Sequence, residues 1–204
     1  MKKILSIIIA LLLTLLCFAG CAKSDVHVSE DVIFLPDNYP AIAGMVDYLF
    51  VAHVVEITDT FEIENMLYTT YKAKVLKNVK GELTQDDYVY VTRHGGVYKD
   101  GRKYIINGSD FQPEVDKSYI ISAFTVLDLD YGKSDGKGFE IGSLYISGMD
   151  PTEVDISAEK DTAGRLEEKL AKDETYLKWK KGYENEIPYE RERAKSIYDV
   201  AYKE

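Results

Sequence analysis

The chain has 204 residues, with 35 acidic against 25 basic side chains, a net charge of −10, and only two cysteines. Such an acidic surface repels nucleic acid and anionic headgroups, and no local basic patch stands out to reverse that, so a phosphate-tracking role is excluded. The length suits one folded domain with a core of its own.

Lys2 and Lys3 precede an apolar run from Ile4 to Leu16, and Phe18-Ala19-Gly20-Cys21 follows. The run is shorter than the roughly 18–20 residues a bilayer span requires, and the small residues before Cys21 suit a cleavage site. Residues 1–20 therefore read as a signal peptide. Its end resembles the lipobox of bacterial lipoproteins, with Phe18 where that pattern prefers Leu. The resemblance implies cleavage before Cys21, lipid on its sulfur, and attachment to the extracytoplasmic face of the cell membrane through two or three acyl chains, such as palmitate, of which two suffice. Processing takes Lys2 and Lys3 away, so the 25 basic side chains fall to 23 and the mature charge is −12. Cys17 leaves as well, so no thiol remains for a disulfide or a metal.

Residues 21–30 read as a polar, lipidated tether, able to reach roughly 30 Å if extended. Residues 31–150 read as a β domain. Val46 to Ile57 is apolar on both parities, which suits a strand buried on two sides. Tyr68 to Val79 alternates, with Tyr71, Ala73 and Val75 opposite Thr70, Lys72 and Lys74, and Tyr88 to Arg93 alternates again. Asp100-Gly101 between Val97-Tyr98 and Tyr104-Ile106 predicts a two-residue type I′ hairpin. Ser118 to Leu127 and Phe139 to Ile146 bring the count to five or six strands.

Residues 151–204 change character and read as a helical segment packing on the strands. Leu166 and Leu170, then Tyr176, Trp179 and Tyr183, then Ala194, Ile197, Tyr198 and Ala201 recur at helical spacing. Gly182 and Pro188 mark a break, and Pro188 is placed to open a last helix. Strands first and helices last predict an α+β fold, mainly antiparallel.

The runs Phe50 to Ile57, Tyr68 to Gly81 and Val89 to Gly96 resemble small extracytoplasmic bacterial domains with an OB-type barrel, akin to the one in netrin and tissue-inhibitor-of-metalloprotease modules. The resemblance implies a five- to six-stranded OB-like barrel with one ligand-binding face. Protease inhibition does not carry over, because the animal inhibitors need disulfides and a free N-terminal cysteine, and Cys21 is committed to lipid.

No catalytic constellation assembles. His27, His53 and His94 share no metal-ligand spacing. The Asp128–Asp135 loop begins like a calcium site, but Lys133 stands where glycine is required and Phe139 where the bidentate glutamate belongs. Asn107-Gly108-Ser109 reads as a turn. No cofactor signature and no metal set is present, and the chain reads as a non-enzyme. Sixteen tyrosines remain. Tyr68, Tyr88 and Tyr90 fall on the polar parity of neighbouring strands, and with His94 they are the candidate binding residues, since aromatic platforms suit sugars and proteins. Either that strip is open to an envelope protein or glycan, or the helical segment packs over it. The expected role is a membrane-anchored, non-catalytic binding or assembly module at the cell envelope; the alternative is a cell-envelope hydrolase or an inhibitor of one.

Overall fold

The computed structural model describes residues 24–29, 37–106, 109–127, 142–147, 149–157 and 163–200. Cys21, the Asp128–Asp135 loop and the pair Asn107-Gly108 lie outside them. The α+β class is as expected. Strands β1 (Val26–Val28), β2 (Tyr48–Ile63), β3 (Met66–Lys80), β4 (Tyr88–His94), β5 (Gly96–Val97), β6 (Lys103–Ile106), β7 (Ser118–Thr125), β8 (Leu144–Ile146) and β9 (Thr152–Val154) accompany helices α1 (Tyr39–Met45), α2 (Ala163–Leu170) and α3 (Glu174–Glu184).

The strand order β2-β3-β4-β8-β7, with β2 also pairing β7, closes a ring of five, and β9 extends it from β7. All ring pairs are antiparallel except β4 with β8. Four register shifts along β2 bend it enough to serve β3 along its length and β7 at Tyr48–His53. Alternation then sorts the side chains. Tyr48, Phe50, Ala52, Val54, Tyr71, Ala73, Val75, Val89, Val91, Tyr119, Ile121, Ala123, Leu144 and Ile146 fill the interior.

The other parity of β2 is also buried, as its sequence predicts. Leu49, Val51, Leu76 and Ile120 take a second apolar layer made by Ile42 and Val46 of the α1 region, Leu166 and Leu170 of α2, and Tyr176 and Trp179 of α3. Helix α1 starts at Asn38, whose side chain accepts the Ala41 N–H at 3.2 Å, and Asp173 caps α3 in the same way through Tyr176 N–H at 2.7 Å. The two helices approach closely because residue 182 is glycine: a Cβ there would lie 2.6 Å from Tyr39 Cβ.

Three sequence expectations need correction. Residues 185–199 form no helix; they run as an irregular strap across the ring, despite the spacing of Ala194, Ile197 and Tyr198. Two buried carboxylates account for this. Asp47 accepts the N–H groups of Ala194 and Thr125, both at 2.9 Å, and pairs with Arg191 at 2.8 Å. Asp199 accepts the N–H groups of Ser196 at 2.8 Å and Glu82 at 3.1 Å, takes the Tyr48 hydroxyl, and pairs with Arg193. Backbone donors that a helix would use are committed to these side chains.

Second, the β5–β6 hairpin forms, but only Gly101 of the pair Asp100-Gly101 has positive φ, at 85°. The Tyr98–Gly101 turn closes through Gly101 N–H to Tyr98 O at 2.8 Å, a longer loop than type I′. The two-residue turn with positive φ at both positions is instead Glu64-Asn65, between β2 and β3. Third, the stretch expected as tether already contains β1, which pairs in parallel with β6, and Asp25 accepts the Lys103 N–H at 2.7 Å. Residues 25–28 of that stretch thus pack on β6.

Candidate functional site: the outer face of strands two to four

The ring interior is filled by tyrosines whose hydroxyls are spoken for. Tyr71 donates to Gln112 at 2.5 Å, Tyr119 accepts the Glu114 N–H at 2.9 Å, and Tyr48 meets Asp199 and Ser196. Burial pushes the Tyr48, Tyr71 and Tyr119 phenols above their ordinary range. The packed interior leaves the outside of the ring as its accessible surface.

Register and parity place four rows of side chains on the outer face of β2, β3 and β4. They run His53, Lys74, Tyr88; then Glu56, Lys72, Tyr90; then Asp59, Thr70, Thr92; then Phe61, Tyr68, His94. Successive rows are about 7 Å apart, the two-residue repeat of a strand. All four sequence-derived candidates of the folded domain thus share one face, and the structure divides them into two pairs.

Tyr88 and Tyr90 are open, at 49% and 42% exposure. The Lys72 ammonium lies 4.8 Å from the Tyr88 ring centre, and Lys74 pairs with Asp86 at 2.8 Å. Helices α2 and α3 do not cover this end, because they pack over Leu49, Val51, Leu76 and Ile120. The strap borders it: the Tyr90 N–H donates to the Tyr198 hydroxyl at 3.2 Å.

Tyr68 and His94 are buried, at 4% and 5%, so the strip is not open along its whole length. Their rings stack at 4.8 Å. They belong to a continuous arc: Phe61 on Tyr68 at 5.7 Å, then His94, then Tyr104 at 5.1 Å from His94, then Tyr98 at 6.2 Å from Tyr104. Val126 and Tyr145 pack against the Phe61–Tyr68 end.

The two ends of the arc, Phe61 and Tyr98, wall a cleft of about 440 Å³, with Leu67, Thr60, Asp59, Glu62, Lys99 and Asp100 completing it. That volume lies in the range of small-ligand sites. Burial, and next the charge of Glu62, raise the Tyr98 phenol above its ordinary value, so the ring stays a neutral wall. Sequence reasoning missed this cleft, since its residues come from the β2 and β3 hairpin arms and from the distant β5–β6 turn.

His53 Nδ1 meets Ser118 Oγ at 3.1 Å, a strand residue with a hydrogen-bonded ring. Among the described residues no group of three or more His, Cys, Asp or Glu is arranged to hold a metal ion, and no helix is long and apolar enough to cross a membrane. What the face offers chemically is aromatic surface, two ammonium groups and hydroxyls at a fixed spacing. Comparison with protein-family models and with curated proteins finds no match to this chain.

Proposed function

We propose that the protein is a lipid-anchored, extracytoplasmic, non-catalytic binding or assembly module built on an OB-type barrel. A ring of five strands fits the barrel that the sequence resemblance implies. Its second and third strands, β3 and β4, are those whose outer face takes ligands in such barrels. The observation that carries the reading is the exposure of Tyr88 and Tyr90 beside Lys72 and Lys74 on that face, uncovered by the helices.

Neighbouring exposed rings offer large contact area at little conformational cost, and the lysines and phenols add directional hydrogen bonds, which suits an envelope protein or glycan. The anchor would be Cys21. Val26, where β1 begins, is five positions beyond it, so the small sheet β1-β6-β5 would ride within about 18 Å of the lipid. The test is to replace Tyr88 and Tyr90 together by serine in the full-length protein on intact cells. Partner capture should fall at least tenfold while the melting temperature stays within about 2 °C of wild type. Undiminished capture would remove the face from the account.

A further inference from the structure

The β2–β3 hairpin carries an unmatched backbone edge. On one side β2 pairs with β3 from Leu49 to Ile63, but its other side pairs with β7 only from Tyr48 to His53. The last bonds on that side are Val54 N–H to Lys117 O at 2.8 Å and Asp116 N–H to Val54 O at 2.9 Å. From Val55 to Ile63 no strand among the described residues lies on it, and Val55 to Asp59 are all exposed. The cleft of Phe61 and Tyr98 is lined by the adjoining Asp59–Glu62 stretch, so space lies open beside it.

Turn geometry says which backbone groups point outward. Glu64-Asn65 is a two-residue turn, so Ile63 and Met66 exchange hydrogen bonds, and every second pair behind them does the same. Glu62 and Leu67 form the intervening kind of pair; accordingly, Leu67 O accepts the Gly95 N–H at 2.7 Å on the far side of β3. Counting back through the register shift between Ile57 and Asp59, the N–H and C=O groups of Glu62, Thr60 and Ile57 face away from β3.

Charge selects the occupant. Glu56, Asp59 and Glu62 are exposed along this arm, as is the apolar side chain of Ile57. Across the ladder Glu56 has Lys72, but Asp59 has Thr70 and Glu62 has Leu67. Antiparallel pairing with a second copy about Asp59 would set Glu56 against Glu62 and Asp59 against itself, which is destabilising. Such charges guard an edge against its own kind, and a strand of opposite charge escapes that penalty. We propose that β2 from Ile57 to Ile63 accepts an extended, lysine- or arginine-bearing segment of a partner protein as an added strand. Main-chain bonds to Ile57, Thr60 and Glu62 hold it, and its basic side chains meet Asp59 and Glu62.

The proposal stands on other residues than the Tyr88–Tyr90 reading, so each can fail alone. The test follows backbone amide exchange by NMR in the full-length chain in detergent. The probe is acetyl-Lys-Val-Lys-Val-Lys-Val-Lys-amide, and the controls are the same peptide N-methylated at every residue and its glutamate counterpart. In the free protein the Ile57, Thr60 and Glu62 amides should exchange at least tenfold faster than those of Phe61 and Ile63. The lysine peptide should slow these three at least tenfold, and neither control should. Thr60→Pro removes an outward N–H that no strand uses, so it should leave melting unchanged and abolish the slowing. If that variant does not fold, the peptide comparison on the wild-type chain decides alone. Three amides already protected in the free chain would mean that its own residues fill the edge, and protection rising with protein concentration would mean a second copy. Equal slowing by the methylated peptide would reduce the effect to charge attraction, and equal slowing by the glutamate peptide would remove the charge selection. Each of these, or undiminished slowing in a folded Thr60→Pro, overturns the proposal.

Discussion

Asp199→Asn tests whether the strap is latched by its buried carboxylate. The side chain has no exposure, and its two oxygens serve four donors: Oδ1 takes the Glu82 N–H and Arg193, and Oδ2 takes the Ser196 N–H and the Tyr48 hydroxyl. Asparagine turns one acceptor into a donor that faces donors, and a buried unsatisfied group costs about 1–3 kcal/mol. It also strips Arg193 of its closest counter-charge. Breaking a fully buried pair costs about 3–5 kcal/mol. Here Arg193 is 21% exposed and keeps Glu82 at 3.5 Å, which lowers the figure. The net expectation is about 3 kcal/mol, or roughly 6–12 °C in Tm for a domain of this size.

Denaturant unfolding is the assay, with an unchanged slope required so that the midpoint reports stability. Adding Arg193→Met should recover part of the loss, since the guanidinium no longer lacks a partner, and the double variant should be less than additive by at least about 1 kcal/mol. A midpoint shift worth less than about 0.5 kcal/mol would refute the latch, since that is what an ordinary surface substitution does.

Other outcomes follow from the same geometry. Gly182→Ala should destabilise by about 1–3 kcal/mol in denaturant melts despite better helix propensity, because the new methyl would lie 2.6 Å from Tyr39 Cβ; a neutral result would mean that α1 and α3 slide apart freely. The raised phenols of Tyr48, Tyr71, Tyr119 and Tyr176 keep their protons in the fold after an unfolded tyrosine, with its value near 10, would lose them. Stability should therefore be full below pH 10 and decline as pH rises through the folded values, so a Tm unchanged to pH 11 would contradict the buried phenols. Cys21→Ala should leave the chain without lipid, and mass spectrometry of the native N-terminus should find Cys21 modified; an unmodified native Cys21 would sink the anchor.

Much of the fold was legible where periodicity is local. The two apolar parities of β2, the alternation of β3 and β4, and the spacing of Leu166, Leu170, Tyr176 and Trp179 each report a burial pattern that one element imposes on its own sequence. The last helix was misread because the spacing of Ala194, Ile197 and Tyr198 carries no information about Asp47, nearly 150 positions earlier, which claims the Ala194 N–H. Glu64-Asn65 gave little turn signal, as the glycine that usually supplies positive φ is absent. Helix α1 was not expected within the β domain, although Asn38 and Pro40 supply a cap followed by proline in the first turn.

Strand parity was enough to put Tyr68, Tyr88 and Tyr90 on one face, whereas His94, read with Gly95-Gly96 as the stop of the strand, joins them as its last residue opposite Tyr68. It could not say which are covered, because the cover over Tyr68 and His94 comes from Tyr104, Val126 and Tyr145 in other segments.

The central claim, that this chain binds through the open end of the β3–β4 face, is most directly tested by site-specific photocrosslinking on intact cells. A crosslinking residue placed at Tyr88 or Tyr90 is compared with one at Leu177, which is 42% exposed on α3. Discrete adducts from positions 88 and 90, absent from 177, are predicted. The same adducts from all three positions, or adducts from 177 alone, would contradict the account.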